Sequence, residues 1–173
     1  MPQLPVGPDE VRDDWRIGVG YDSHAFAPGR PLWLGGLQID HPLGLAGHSD
    51  ADVLLHAICD ALLGALAMGD IGTHFPDTDP RWQDAASRQF VMHAHGLVRE
   101  RGWAIANLDC TLILQRPKLQ PLNLQLRESL AALLQTDRER ISVKGKTPEG
   151  LNLEHTAVAH AVVLLRRSSP PAG

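Results

Sequence analysis

The run Asp52-Val53-Leu54-Leu55-His56-Ala57-Ile58-Cys59-Asp60-Ala61-Leu62-Leu63-Gly64-Ala65-Leu66-Ala67-Met68, closed by Gly69, decides the reading of the fold. Val53, Leu54, Ala57, Ile58, Ala61, Leu62 and Ala65 recur at helical spacing, so the run predicts an amphipathic helix with one broad apolar face. Asp50 or Ser49 can cap its start and Gly69 its end. Upstream, Trp15 to Tyr21 alternates as a strand, and Pro31 to Ile39 reads as a short hairpin around Gly35-Gly36. Downstream, Gly69 to Pro80 is rich in Gly, Pro and Asp and reads as an ordered surface loop. A second helix is expected from Ala85 to Arg101, a strand from Ala104 to Gln115, and a third helix from Pro121 to Leu134. Ile141 to Val143 and Thr156 to Arg166 are the remaining strands.

Strands and helices interleave without a regular βαβ repeat or an opening glycine-rich turn, which argues α+β rather than a doubly wound nucleotide fold. The expectation is a single compact domain over residues 15–167, a mixed or antiparallel sheet with helices on one face. Residues 1–14, with Pro2, Pro5, Gly7 and Pro8, and residues 168–173 read as flexible tails.

A chain of 173 residues that is 43% hydrophobic and 21% charged falls among ordinary globular sequences. With a net charge of -4 and aromatics at 5%, it offers neither a phosphate-tracking surface nor a base-stacking platform, so nucleic acid is not an expected partner. No apolar run reaches the ~20 residues that span a bilayer, and the start lacks a cationic stretch followed by an apolar one, so no membrane partner and a cytoplasmic location are expected. Cys59 and Cys110 each lie inside an apolar segment and read as buried free thiols. Nine histidines in a chain that is not basic direct attention to metal ligation.

In Gly20-Tyr21-Asp22-Ser23-His24, strand alternation points Asp22 and His24 to the same face. In Gly47-His48-Ser49-Asp50-Ala51-Asp52 and the helix that follows, Asp52, His56 and Asp60 stand four apart on one helix face. Each feature alone is also what a wet strand face or a capped helix would carry. Together they supply Asp22, His24 and His56 as three N/O ligands with a fourth tetrahedral position open, the arrangement of a catalytic zinc site, with Asp60 placed to orient His56 from behind. Asp70 to Pro80 adds carboxylates and hydroxyls suited to gripping a polyol. Lys144-Gly145-Lys146-Thr147-Pro148-Glu149-Gly150 offers cations, a hydroxyl and a carboxylate that can hold phosphates and a hard cation, but its glycine spacing is not that of a P-loop.

Taken in order, these segments resemble the cyclodiphosphate synthase family of the non-mevalonate isoprenoid pathway. The resemblance rests on Gly-Tyr-Asp-x-His, His-Ser-Asp-x-Asp-x-x-x-His, Gly-Asp-Ile-Gly through Phe-Pro-Asp-Thr-Asp, Pro-Lys-Leu and Lys-Thr-x-Glu, and covers about Arg16 to Leu165. It implies one zinc ion per subunit on Asp22, His24 and His56, with His48, Ser49, Asp70, Ile71 and Gly72 meeting the sugar phosphate. Phe75, Pro76, Asp77, Thr78 and Asp79 would continue that wall. Leu114, Gln115, Arg116, Pro117, Lys118, Leu119 and Gln120, with Lys146, Thr147, Pro148 and Glu149, would enclose a cytidine diphosphate substrate. Glu149 would hold a second divalent cation, Mg²⁺ or Mn²⁺, and His48 and Thr147 occupy the positions of transition-state stabilisation.

The implied chemistry is a lyase reaction in which the substrate's own phosphate attacks the β-phosphorus of its cytidine diphosphate arm and CMP leaves. The family also implies a homotrimer, packed through its sheets, with active sites between subunits. One departure stands out: after Glu149 many members read Gly-Arg-Gly-Glu-Gly, whereas here Leu151-Asn152-Leu153-Glu154-His155 follows, without the arginine. A zinc hydrolase of phosphoesters would leave Pro-Lys-Leu and Lys-Thr-x-Glu unexplained. A binding module that had lost turnover would lack a ligand or the Lys-Thr-x-Glu segment, and all are present.

Overall fold

The computed structural model describes residues 14–151 and 153–168. The expected tails fall largely outside them. Strand β1 (Trp15–Pro28) runs seven residues past its predicted end and carries both Asp22 and His24. The predicted hairpin forms from β2 (Leu32–Leu34) and β3 (Leu37–Ile39), with Gly35 at φ 60° and Gly36 at φ 80°, values a residue with a Cβ adopts only under strain. A short strand not foreseen in the sequence, β4 (Leu43–Leu45), pairs with the end of β1.

Helix α1 (Val53–Ala65) is the predicted central helix, but its cap is Asp52 rather than Asp50 or Ser49. The Asp52 carboxylate accepts from Leu55 N–H at 3.1 Å, and its oxygens also accept from Gly35 N–H at 2.9 Å and Gly36 N–H at 2.7 Å. Asp52 therefore lies inside the molecule, tying the hairpin turn to the helix start, and is not part of a polar face with His56 and Asp60. The loop after Gly69 contains a single helical turn, α2 (Ile71–His74), capped by Asp70, and a 3₁₀ turn (Pro80–Trp82). Helix α3 (Arg88–Glu100) starts three residues later than read, because Asp84 N–H bonds to His48 O and Asp50 N–H bonds to Ala85 O, committing that stretch to the loop before α1.

Strand β5 (Trp103–Ile113), a 3₁₀ turn (Gln120–Leu122), helix α4 (Asn123–Leu133), a third 3₁₀ turn (Arg138–Arg140), β6 (Ile141–Lys146) and β7 (Thr156–Arg167) complete the order. The main sheet runs β4-β1-β7-β5-β6, antiparallel except for the parallel pair β5–β6. One sheet face is sealed by α1, α3 and α4 around a core that includes Leu54, Ile58, Leu62, Leu108, Leu112, Ala161 and Leu165. The helices thus cover one face of a mixed sheet, as the sequence pattern predicts.

Helix α1 lies directly on β1. A Cβ on Gly18 would fall 1.9 Å from the Ala61 carbonyl oxygen, and one on Gly20 would fall 1.8 Å from that of Ala57. Only glycine lets the two backbones approach this closely, and the approach brings His56 over Asp22. Cys59 and Cys110 are buried free thiols; burial pushes each up to about 12. Among the described residues no helix is long and apolar enough to cross a membrane.

Candidate metal and substrate site

Strand alternation points Asp22 and His24 the same way, and α1 lowers His56 onto them from above. His24 Nε2 and His56 Nδ1 each lie 2.9 Å from Asp22 Oδ2 and 3.1 Å from one another. One donor atom from each of the three residues lies within 4.8 Å of the others, the spacing a single metal ion needs. Burial works against the Asp22 carboxylate, but the hydrogen bonds from His24 and His56 prevail and hold it well below the usual carboxylate range. Burial likewise pulls His24 down, yet its hydrogen bond to Asp22 wins and raises it above an ordinary histidine. The cluster is one anionic oxygen facing two imidazole nitrogens, a set in which a divalent ion can replace the shared protons.

The far side of His56 is held by residues the sequence reading did not single out for that task. His56 Nε2 lies 2.8 Å from Ser87 Oγ and 3.1 Å from Ser49 Oγ. Asp60, expected to orient His56, instead accepts the Ile71 N–H at 2.7 Å and anchors α2 to α1. Helical geometry explains the change: four residues on, Asp60 sits one turn further along α1, beside the start of the next element. Arg30, also missed, donates to the carbonyls of Gly47 (2.9 Å) and Ser49 and fixes the loop that crosses His24. Nothing in its local sequence signals this, since Arg30 is isolated between Gly29 and Pro31.

Of the residues expected to meet the sugar phosphate, His48 is exposed on this loop, whereas Ser49 is buried. Asp70 accepts from Thr73 Oγ1 (2.7 Å) and Thr73 N–H (2.8 Å), and these bonds lower its pKa. Ile71 is half-buried and Gly72 exposed. Phe75 packs between Phe90, at a centroid distance of 4.5 Å, and Trp82, at 5.0 Å. Pro76, Asp77 and Thr78 are exposed, and Asp79 is engaged by Arg81 at 2.6 Å.

The second predicted cluster forms a cavity of about 720 Å³ lined by Leu114, Pro117, Lys118, Leu119, Gln120, Lys146, Thr147 and Glu149. The Thr147 hydroxyl donates to the Glu149 carboxylate. Gln115 and Arg116, in the same stretch, are exposed, and Pro148 is buried. The sheet register relates this cavity to the metal cluster. Ser23 faces Val158, Val158 faces Ile113, and Ile113 faces Lys146, a single row across β1, β7, β5 and β6. Cluster and cavity share one end of the sheet, separated by three strand spacings, roughly 14 Å.

The YgbB family model matches residues 15–166. The 2-C-methyl-D-erythritol 2,4-cyclodiphosphate synthase of Xanthomonas axonopodis pv. citri is 50% identical over 161 residues, 91% of this chain and 97% of its own. The protein of that name from Koribacter versatilis is 52% identical over 152 residues, 88% of this chain and 98% of its own. A solved structure of 2C-methyl-D-erythritol-2,4-cyclodiphosphate synthase in its CDP-bound form superposes with a TM-score of 0.82 at 47% identity, over 87% of this chain and 99% of that one.

Proposed function

The chain belongs to the YgbB family, and on that premise we propose that it converts 4-diphosphocytidyl-2-C-methyl-D-erythritol 2-phosphate to 2-C-methyl-D-erythritol 2,4-cyclodiphosphate with release of CMP, as a phosphorus–oxygen lyase of isoprenoid precursor synthesis. The observation that carries this reading is the convergence of Asp22, His24 and His56 at the same end of the sheet as a cavity bearing Lys118, Lys146, Thr147 and Glu149.

An oxygen of the substrate's 2-phosphate attacks the β-phosphorus of its cytidine diphosphate arm. The new P–O bond forms as the bond from that phosphorus to the bridging oxygen breaks, and CMP departs with the bond's electron pair. Both reacting groups belong to one molecule, so the protein needs no nucleophile of its own; its task is to fold the substrate back on itself. A zinc ion on Asp22, His24 and His56 and a Mg²⁺ or Mn²⁺ ion on Glu149 would supply positive charge to the phosphoryl oxygens.

Lys118 and Lys146 add fixed cationic charge at the cytidine end, while His48, and Thr147 once its hydroxyl turns from Glu149, donate hydrogen bonds to oxygens on which charge builds. Ser49 with Asp70 to Gly72, and then Phe75 to Asp79, form the wall against the sugar alcohol. Leu114 to Gln120 and Pro148 shape the pocket for cytidine. The enzyme acts as a homotrimer, with metal ligands from one chain and the cytidine cavity from the next. Two features support that assembly: the cavity lining of one chain includes none of the three ligands, and the sheet face away from the helices leaves Trp15, Ile17, Val19 and Tyr21 more than half exposed.

Phosphorus NMR of the purified protein with this substrate and Mg²⁺, with and without a chelator, tests the proposal. Chelator-sensitive appearance of CMP and a cyclic diphosphate is the expected result. CMP with an open-chain product would indicate hydrolysis, and an unchanged spectrum with metal-replete protein would leave the chain without this activity.

A further inference from the structure

His56 presents Nδ1 to Asp22 and His24, so as a metal ligand it must carry its proton on Nε2. A buried N–H needs an acceptor, and the partner that takes it determines which tautomer prevails. The shorter of the two hydrogen-bond distances from Nε2 is to Ser87 Oγ at 2.8 Å, the other being to Ser49 Oγ at 3.1 Å. Ser87 is wholly buried and comes from the start of α3, far from the segments that carry the ligands. Its hydroxyl hydrogen faces a carboxylate oxygen, Asp50 Oδ1, while Asp50 Oδ2 accepts the Ser87 backbone N–H at 3.0 Å. Asp50 is itself fixed, its N–H bonded to Ala85 O at 3.1 Å and its Oδ1 accepting from Asp52 N–H at 3.2 Å. Ser49 Oγ accepts the Ala51 N–H at 3.1 Å and lies 3.3 Å from Ser87 Oγ, which leaves its own hydrogen free to point at Ser87. His56 Nε2–H can donate to Ser87 Oγ, or to Ser49 Oγ at 3.1 Å with Ser49 passing its own hydrogen to Ser87, and on either route the Ser87 O–H ends on Asp50.

We propose that Ser87 and Asp50 are positioning residues for the metal site, a relay that fixes the His56 tautomer and ring orientation and so presents Nδ1 for ligation. The relay rests on the reading of Asp22, His24 and His56 as the metal site. It also goes beyond a capping role. Ser87 precedes the first residue of α3 and makes no side-chain cap bond of its own, and the tie from its N–H to Asp50 would secure the helix start without any contact to His56. The hydroxyl oxygen beside Nε2 is superfluous for capping and serves ligation.

The test uses the full-length chain stripped of metal and titrated with Zn²⁺ against a chromophoric chelator, alongside the visible spectrum of the Co²⁺-loaded protein and ¹⁵N NMR of the histidine ring nitrogens. Ser87→Ala should weaken Zn²⁺ binding about 10–100-fold, alter the Co²⁺ bands, and mix the His56 tautomers in the metal-free protein. Asp50→Asn, which keeps shape and volume, should change the same three readouts in the same direction by less. Thermal melting of the metal-free variants separates this from capping, because a capping role alone lowers the midpoint and leaves metal affinity and the Co²⁺ spectrum where they were. Wild-type affinity and spectrum in a folded Ser87→Ala chain overturn the relay. Equal Zn²⁺ uptake by wild type and Asp22→Ala would overturn the metal-site reading instead, and the relay with it.

Discussion

Asp52 shows how one side chain can serve the fold while seeming, in sequence, to belong to the site. Its carboxylate has no exposure, and burial raises its pKa against the pull of the Gly36, Leu55 and Gly35 N–H groups. Asp52→Ala strands those three donors and removes a helix cap, so a loss of about 2–4 kcal/mol in urea unfolding is expected. A second buried polar residue, His95, gives a pH signature. Burial, seconded by the Arg99 charge, depresses its pKa. Unfolded, it takes up a proton near its ordinary value of about 6.5; folded, it resists. Its contribution is therefore at full strength above that value and declines as pH falls toward the lowered folded one. Replacing His95 with Leu should flatten that acid-side slope relative to wild type when urea midpoints are compared at about pH 7.5 and about pH 5.5. Asp22, His24 and His56 were legible because strand period and motif order both pointed to them. Ser87 and Arg30 were not, because their contacts cross the fold and leave no trace in local spacing.

Among the elements, the helix-on-strand contact governs the geometry of the metal cluster. Adding a methyl at Gly20 drives it into the Ala57 carbonyl, one residue beyond His56. Gly20→Ala should destabilise the protein by about 3 kcal/mol and weaken Zn²⁺ binding as well, because α1 must lift away from Asp22. Gly64→Ala, where the nearest atom to the added Cβ is 3.9 Å away, should stabilise by about 0.5–1 kcal/mol. Unfolding and chelator-competition measurements on the pair would show both effects. Helices and long strands were legible from periodicity because each has one apolar face. The start of α3 and strand β4 were not: Ala85 to Ser87 reads as good helix but is held by the loop before α1, and β4 exists only because β1 is there to pair with it.

At the scale of the whole molecule, one chain carries the metal cluster and the cavity along one sheet row. If neighbouring chains complete each other, chains defective in different halves should complement. His56→Ala and Lys146→Ala, each inactive alone, should recover about a quarter of wild-type activity when unfolded together and reassembled at equal amounts, since a random trimer pairs an intact half with an intact half at one junction in four. Activity no greater than the sum of the two separate variants would place both halves in the same chain. The fold class was legible from element order; the exposed apolar face of β1 was not, because alternation marks two faces of a strand without saying what covers the second.

The position of β7 also dictates when the protein can become itself during synthesis. This last strand is inserted in the middle of the sheet, between the first strand and β5, with Arg166 facing Trp15. Until it emerges from the ribosome, β1 has no long partner and part of the floor beneath α1 is missing, so the nascent chain can form helices and the β1–β4 and β5–β6 pairs but not the joined sheet. Folding therefore waits for β7. A chain ending before Thr156 should be cut rapidly by protease at concentrations that leave the 173-residue chain intact.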